Sequence, residues 1–79
     1  MTLEEFLKDL EISFYGKRPQ YIENGFDGLS AEDVEIIVLY TMWTDGADGQ
    51  TVWDMKKEGL FKQREVAIRE LVDHFGFME

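Results

Sequence analysis

The sequence predicts a small all-α domain of three to four short helices, and three observations lead to this fold class. Hydroxyl residues that can cap a helix stand three positions before an acid at Thr2, Ser30 and Thr51. Apolar residues recur at helical spacing after the first of these caps. Gly59 and Gly76 stand where helices are expected to end, and glycine readily takes the left-handed conformation of a helix end.

The first helix is predicted to run from Leu3 to about Tyr15-Gly16. Thr2 and Glu5 have the spacing of a capping box, in which each side chain accepts a hydrogen bond from the backbone of the other residue. Charged residues occupy one face of this helix, and apolar residues occupy the other at the i, i+3, i+4, i+7 spacing of a buried stripe. The apolar residues are Leu3, Phe6, Leu7, Leu10 and Phe14.

Residues 16–29 are predicted to form a long structured loop. Chain-turning residues recur along this segment, and apolar residues lie between them. The turn signals are Gly16, Pro19, Asn24-Gly25 and Asp27-Gly28, and the apolar residues are Tyr21, Ile22, Phe26 and Leu29. Such a loop is expected to pack against the core.

The second element, residues 31–43, is predicted to be the central and most buried helix. Its run from Ile36 to Trp43 is rich in β-branched and aromatic residues, which also suit a strand. The Ser30 cap and the length of the segment favour a helix. A small α+β domain with 34–43 as a strand is the alternative.

Two further helices are predicted after a polar turn at residues 44–50. One runs from Thr51 to about Glu58, where Gly59 ends it, and the last runs from about Leu60 to His74. One face of the last helix is apolar, through Phe61, Ile68, Leu71, Val72 and Phe75. Trp43 and Trp53 flank the polar turn and are expected to clamp it onto the core; the alternative is that one of them is exposed as an interface anchor.

Negative charge is concentrated in the first two-thirds of the chain. Residues 1–54 carry twelve acids and three bases, and the remaining residues carry five of each, so the net charge is −9. This charge repels nucleic acid and anionic membranes, and it either favours a basic partner or only keeps the protein soluble, with no partner. The N-terminus is acidic and cysteine is absent, so we expect residues 1–79 to form one acidic, soluble, cytoplasmic domain.

Neither catalysis nor cofactor or metal binding is expected from the residues. In the loop between Thr44 and Gln50, alignment of Gly49 with the glycine of a calcium-binding loop leaves Asp48 as the one acid at a ligand position. His74 has no second histidine or cysteine with which to form a metal site or a nucleophilic pair. The sequence therefore indicates binding by a protein that is not an enzyme.

The C-terminal bases support an alternative function, a helix-turn-helix-like DNA-binding regulator. These bases lie on a short helix, the Gly59 turn and a longer helix, and they are Lys56, Lys57, Lys62, Arg64 and Arg69. Glu58 precedes Lys62 by four residues and Glu65 precedes Arg69 likewise, so we expect these acids to neutralise the two bases in part.

The acids of the first two-thirds are the preferred candidates for a binding surface, with tyrosines as aromatic anchors. In size and charge the chain resembles small acidic phage-encoded inhibitors, including DNA-mimicking antirestriction and anti-CRISPR proteins. The hypothesis is an acidic inhibitor that binds a basic surface of a nucleic-acid-binding complex and does not bind nucleic acid itself; a self-associating domain or homodimer is a third alternative. The candidate binding residues are Glu4, Glu5, Asp9, Glu11, Tyr15, Tyr21, Glu23, Asp27, Glu32, Asp33 and Glu35, with Phe26 as a further aromatic candidate.

Overall fold

The computed structural model describes residues 1–76, apart from the side chain of Phe75, so the predicted place of that side chain on an apolar face lies outside the described residues. Within this range the chain forms four helices and no strand. These are α1 (Leu3–Asn24), α2 (Ala31–Thr44), α3 (Gly49–Glu58) and α4 (Arg64–Phe75). The all-α prediction is confirmed, and the alternative of a strand at 34–43 is wrong.

Helix α1 begins as predicted and ends nine residues later than the predicted end near Tyr15. Its capping box is complete, because the Thr2 hydroxyl accepts from the Glu5 amide at 3.1 Å and the Glu5 carboxylate accepts from the Thr2 amide at 2.8 Å. The helix then continues through Pro19 to Asn24. The predicted loop therefore shrinks to residues 25–30.

Tertiary contacts of the second half of α1 explain why the helix continues through a proline. A proline inside a helix removes one backbone hydrogen bond and costs about 3 kcal/mol. Against this cost, Tyr21 packs on the buried Phe26 with ring centroids 5.3 Å apart. The Lys17 ammonium also lies 3.5 Å from the Asp33 carboxylate at the start of α2. Turn signals in the sequence carried no information on these contacts.

Helix α2 is the central element, as predicted, and it packs against α1, α3 and α4. Its fully buried side chains include Val34, Ile37, Val38 and Leu39. The Ser30 hydroxyl accepts from the Asp33 amide at 3.2 Å, and the Asp33 carboxylate lies 3.4 Å from the Ser30 amide. The second distance is longer than its counterpart at Thr2, because aspartate has a shorter side chain than glutamate.

Helices α3 and α4 both begin at different residues from those predicted. Asp48 rather than Thr51 caps α3, and its carboxylate accepts from the Gln50 amide at 3.1 Å. Helix α4 begins at Arg64 rather than Leu60, because the turn after Gly59 brings Phe61 into the core. Gly59 and Gly76 adopt the predicted left-handed conformation, with φ of 73° and 70°.

The core joins aromatic and aliphatic side chains from all four helices and from the turn between α1 and α2. Both tryptophans pack against it, as predicted, and each stays partly exposed. Trp53 stacks on Phe6 at 5.6 Å, and Trp43 meets Tyr40 edge-on at 6.0 Å. No helix within residues 1–76 has both the length and the apolar character that crossing a membrane requires.

Candidate protein-binding surface

The four acids in the first half of α1 lie on different sides of the helix and border two separate grooves. Successive helical residues are about 100° apart around the axis, so Glu4 and Glu11 lie on one flank and Asp9 lies on the other. Glu4, Glu5 and Glu11 line a groove that α1 forms with Trp43. Asp9 and Glu32 line a second groove, together with Lys56. The acids that border the grooves therefore form two groups rather than one continuous row.

The first of these, the Trp43 groove, combines negative charge with a partly exposed indole. It has a volume of about 490 Å³ and is lined by Glu4, Glu5, Leu7, Lys8, Glu11 and Trp43. The three glutamates are exposed and Trp43 is half-buried. Carboxylates accept charge-assisted hydrogen bonds from arginine and lysine, and an indole face attracts the same cations. The groove is thus suited to a basic side chain.

The second of these, the Lys56 groove, is smaller and already contains a base. Its volume is about 210 Å³, and Asp9 and Glu32 line it beside apolar side chains. The Lys56 ammonium lies 2.9 Å from the carboxylate of Glu35. The Lys56 groove therefore has one base for two lining acids, whereas the Trp43 groove has Lys8 for three, so the Lys56 groove is the poorer site for a basic partner.

Three of the predicted surface acids serve the fold, and the first of them, Glu5, completes the cap of α1 as described above. Glu35 is 4% exposed, and its carboxylate accepts the hydrogen bond from Lys56, so it is not available at the surface. Asp33 completes the cap of α2 and also pairs with Lys17 at 3.5 Å. The position of Glu35 one turn after the helix start did not reveal its burial, because burial depends on how α3 packs.

The aromatic candidates differ in exposure. Tyr15 is 52% exposed, and its hydroxyl accepts from the Tyr40 hydroxyl at 3.4 Å. This hydrogen bond, together with burial, raises the pKa of Tyr40 to about 12. Tyr21 is half-buried, and burial raises its pKa. Phe26 is buried, so its proposed role as an exposed anchor is wrong.

Glu23 and Asp27 are exposed, as a binding role would require. Glu23 lies in the last turn of α1, and Asp27 lies in the turn that follows. Neither residue lines the Trp43 groove or the Lys56 groove. They therefore extend the acidic surface beyond both grooves.

Three of the five C-terminal bases have partners within the protein. Arg64 donates from Nε to the Leu29 carbonyl at 2.9 Å and from its terminal nitrogen to the Phe26 carbonyl. Lys56 pairs with Glu35, as described above. The Lys57 ammonium lies 3.7 Å from Asp54 and 4.4 Å from the centre of the Trp53 ring. The role of Arg64 was missed from the sequence, because its acceptors are distant backbone atoms.

The prediction that Glu58 neutralises Lys62 as a pair on one helix is wrong. Glu58 is the last residue of α3 and Lys62 lies in the turn after it, so the two are not one turn apart on the same helix. Glu65 and Arg69 do share α4, but no ion pair within 4 Å joins them in the described structure.

No group of three or more metal-ligating side chains is present in the described part of the chain. His74 is exposed, and its Nε2 lies 3.3 Å from the carboxylate of Glu70 on the preceding turn of α4. The strongest candidate site is therefore the Trp43 groove, which joins three exposed carboxylates to a partly exposed indole. Comparisons of the chain with protein families, with curated proteins and with solved structures found no match.

Proposed function

We propose that this protein is a cytoplasmic, non-enzymatic binding module whose Trp43 groove receives a basic side chain of another protein. One observation carries this proposal: Glu4, Glu5 and Glu11 converge on a groove that also exposes part of Trp43. In its sharpest form, the protein is an acidic inhibitor of a nucleic-acid-binding complex, such as a restriction or CRISPR defence system.

Charge and aromatic contact have separate parts in this mechanism. The net charge of −9 attracts a basic surface over a distance of about 8 Å at physiological salt. An arginine or lysine then enters the groove, where the carboxylates accept its hydrogen bonds and the indole covers its apolar stem. Desolvated contacts of this kind supply most of the binding energy in protein interfaces.

Inhibition follows from competition for the same basic surface. Duplex DNA presents one negative charge per roughly 1.7 Å of its axis, so a surface that binds it is rich in arginine and lysine. A protein that occupies those side chains with carboxylates prevents the nucleic acid from reaching them. The inhibitor and the nucleic acid are then expected to exclude each other.

The DNA-binding alternative receives less support. Lys56, Lys57 and Arg64 have the intramolecular partners described above. Within the described part of residues 55–79, Lys62 and Arg69 are the two exposed bases for which no such partner is seen. Helices α3 and α4 each pack against α2, whereas the two helices of a helix-turn-helix pack against each other.

Affinity capture tests this proposal with two variants of equal charge. The immobilised protein is incubated with a nuclease-treated bacterial lysate, and bound proteins are eluted first with duplex DNA and then with salt. The groove variant carries Glu4→Gln, Glu5→Gln and Glu11→Gln, in which glutamine at position 5 preserves the capping box. The control variant carries Glu58→Gln, Glu65→Gln and Asp73→Asn, three exposed acids outside the groove.

We expect the wild-type protein and the control variant to retain a DNA-binding protein that duplex DNA displaces, and the groove variant to lose it. If both variants lose the captured protein to the same extent, net charge alone accounts for binding, and the proposal that the Trp43 groove is the binding site is wrong. Binding of the protein itself to duplex DNA, lost on replacement of Lys62 and Arg69, would support the regulator alternative instead.

A further inference from the structure

The outer side of α1 carries a row of exposed apolar residues. Ile12, Tyr15, Pro19 and Ile22 follow one another at intervals of three, four and three residues. Ile12, Tyr15 and Ile22 are 60%, 52% and 64% exposed. We call these four residues the α1 stripe. It faces away from the side of α1 that packs against α2 and α3, although Tyr15 reaches Tyr40 with one edge of its ring.

The spacing of the α1 stripe is that of a helix that packs against another helix. Alternating intervals of three and four residues place side chains along a single seam, as at the a and d positions of a coiled coil. Single exposed apolar residues are ordinary on protein surfaces, but a continuous row of them along one helix indicates an interaction surface.

The charges beside the α1 stripe indicate what the partner is. Glu11 and Arg18 are both exposed and stand seven residues apart, so they lie two turns apart on the same flank of the stripe. If a second copy of α1 is laid alongside in the opposite direction, Glu11 of each copy faces Arg18 of the other. The same alignment brings Ile12 of each copy near Tyr15 of the other.

The segment around the stripe is also locally neutral in a strongly acidic protein. Residues 11–23 contain two acids and two bases, whereas the molecule carries a net charge of −9. Lys17 pairs with Asp33 of the same copy, so Arg18 is the base that remains to face Glu11 of a second copy. A strongly basic partner, by contrast, would find no excess of negative charge along the stripe.

We infer that two copies of this chain associate through the α1 stripe, with their α1 helices antiparallel and with reciprocal pairs between Glu11 and Arg18. The contact is one helix face from each copy, which is smaller than the roughly 1,200–2,000 Å² of a standard stable interface. The dimer is therefore weak and forms at protein concentrations of about 0.1–1 mM.

Sedimentation equilibrium of charge variants tests both the contact and its direction. Glu11→Arg and Arg18→Glu each replace two attractive pairs by two repulsive ones, and each is expected to weaken self-association about tenfold. An equimolar mixture of the two variants is expected to form a heterodimer. In that dimer the new arginine at position 11 of one copy faces the new glutamate at position 18 of the other, and the second pair is the original one between Glu11 and Arg18. A variant with both substitutions restores the homodimer.

Two variants show whether dimerisation depends on the α1 stripe in particular or on any exposed apolar residue. Ile12→Ser is expected to abolish dimerisation up to about 1 mM, whereas Val66→Ser, at an exposed position on α4, leaves it unchanged. A monomeric wild-type protein at about 1 mM, or a dimer that Ile12→Ser does not weaken, would overturn the inference. A dimer that is weakened by Ile12→Ser but shows no preference for the mixed pair would overturn the antiparallel arrangement.

This inference shares Glu11 with the proposed function, since Glu11 lines the Trp43 groove and also belongs to the charged pairs, but variants at other residues test the two separately. Neither Ile12 nor Arg18 lines the Trp43 groove, so capture of a basic partner by Ile12→Ser reports on the groove alone. Self-association of the variant with Glu4→Gln and Glu5→Gln reports on the stripe alone, because neither residue belongs to the stripe or to its charged pairs.

Discussion

At the scale of single residues, the fold contains glycines that it needs and one that it does not need. Gly46 has a φ of 113°, a conformation that strains any residue with a side chain, although an added Cβ would meet no atom within 4 Å. Gly16 also has open space around it, but it lies within α1 and its φ is not positive. The two positions therefore differ in backbone conformation and not in packing.

We predict that Gly16→Ala stabilises the protein by about 0.5–1 kcal/mol, because alanine loses less conformational entropy than glycine when a helix forms. The matched variant Gly46→Ala is expected to destabilise the protein by about 1 kcal/mol or more. Urea denaturation of both variants measures these changes. A destabilised Gly16→Ala would contradict the continuous helix through residue 16.

The buried carboxylate of Glu35 is a second feature at this scale. It is 4% exposed and has Lys56 as its charged partner at 2.9 Å. Removing one partner of such a pair leaves a buried charge unpaired, whereas replacing both partners by apolar residues can be nearly neutral. The Lys56 side chain is 41% exposed, so water offsets part of the loss.

We predict that Lys56→Met destabilises the protein by about 1–3 kcal/mol. The neighbouring Lys57→Met is expected to cost less than about 1 kcal/mol, because the pair with Asp54 and the contact with Trp53 are exposed to solvent. The double variant Glu35→Met and Lys56→Met should recover most of the lost stability. If Lys56→Met and Lys57→Met lower the free energy of unfolding equally in urea denaturation, the ion pair of Lys56 with Glu35 contributes no more stability than an exposed pair.

At the scale of elements, Arg64 attaches the first residue of α4 to the turn between α1 and α2. Its guanidinium donates to the carbonyls of Leu29 and Phe26, which lie 35 and 38 residues earlier in the chain. The side chains of both acceptor residues are buried in the core. Arg64 therefore connects α4 to the turn that follows α1, whereas α4 and α1 themselves have no helix-to-helix contact among the described residues.

We predict that Arg64→Met lowers the free energy of unfolding by about 1–3 kcal/mol, because two carbonyls beside the core lose charged donors. Arg69→Met, on the exposed side of the same helix, is expected to change it by less than about 0.5 kcal/mol. Amide hydrogen exchange should also become faster at residues 26–29 in Arg64→Met. Unchanged exchange there would show that the turn is held by its apolar side chains alone.

At the scale of the whole molecule, a small core supports a surface with a large negative charge. A core of this size supplies only a few kcal/mol of net stability, and mutual repulsion among the acids reduces it further. Internal pairing of Asp33 and Glu35 with lysines lowers that repulsion near the start of α2. The acids that stay exposed on α1 are thus the ones that a partner can neutralise, which is the premise of the proposed function.

The sequence by itself determined the features that depend on neighbours along the chain. Capping at Thr2 and Ser30, the left-handed glycines after α3 and α4, and the helical class all follow from interactions within a few residues. The burial of α2 also followed, because a helix that is apolar on nearly all sides has to be covered by other elements.

Only the tertiary structure decided the features that depend on contacts between elements. Helix α1 continues through Pro19 because Tyr21 packs on Phe26 in the next turn and Lys17 pairs with Asp33 of α2, and these contacts offset the local penalty of the proline. The division of the acids between two grooves, the burial of Glu35 and the attachment of Arg64 have the same origin. Each depends on the direction in which one helix crosses another, and residue type and spacing carry no information on that direction.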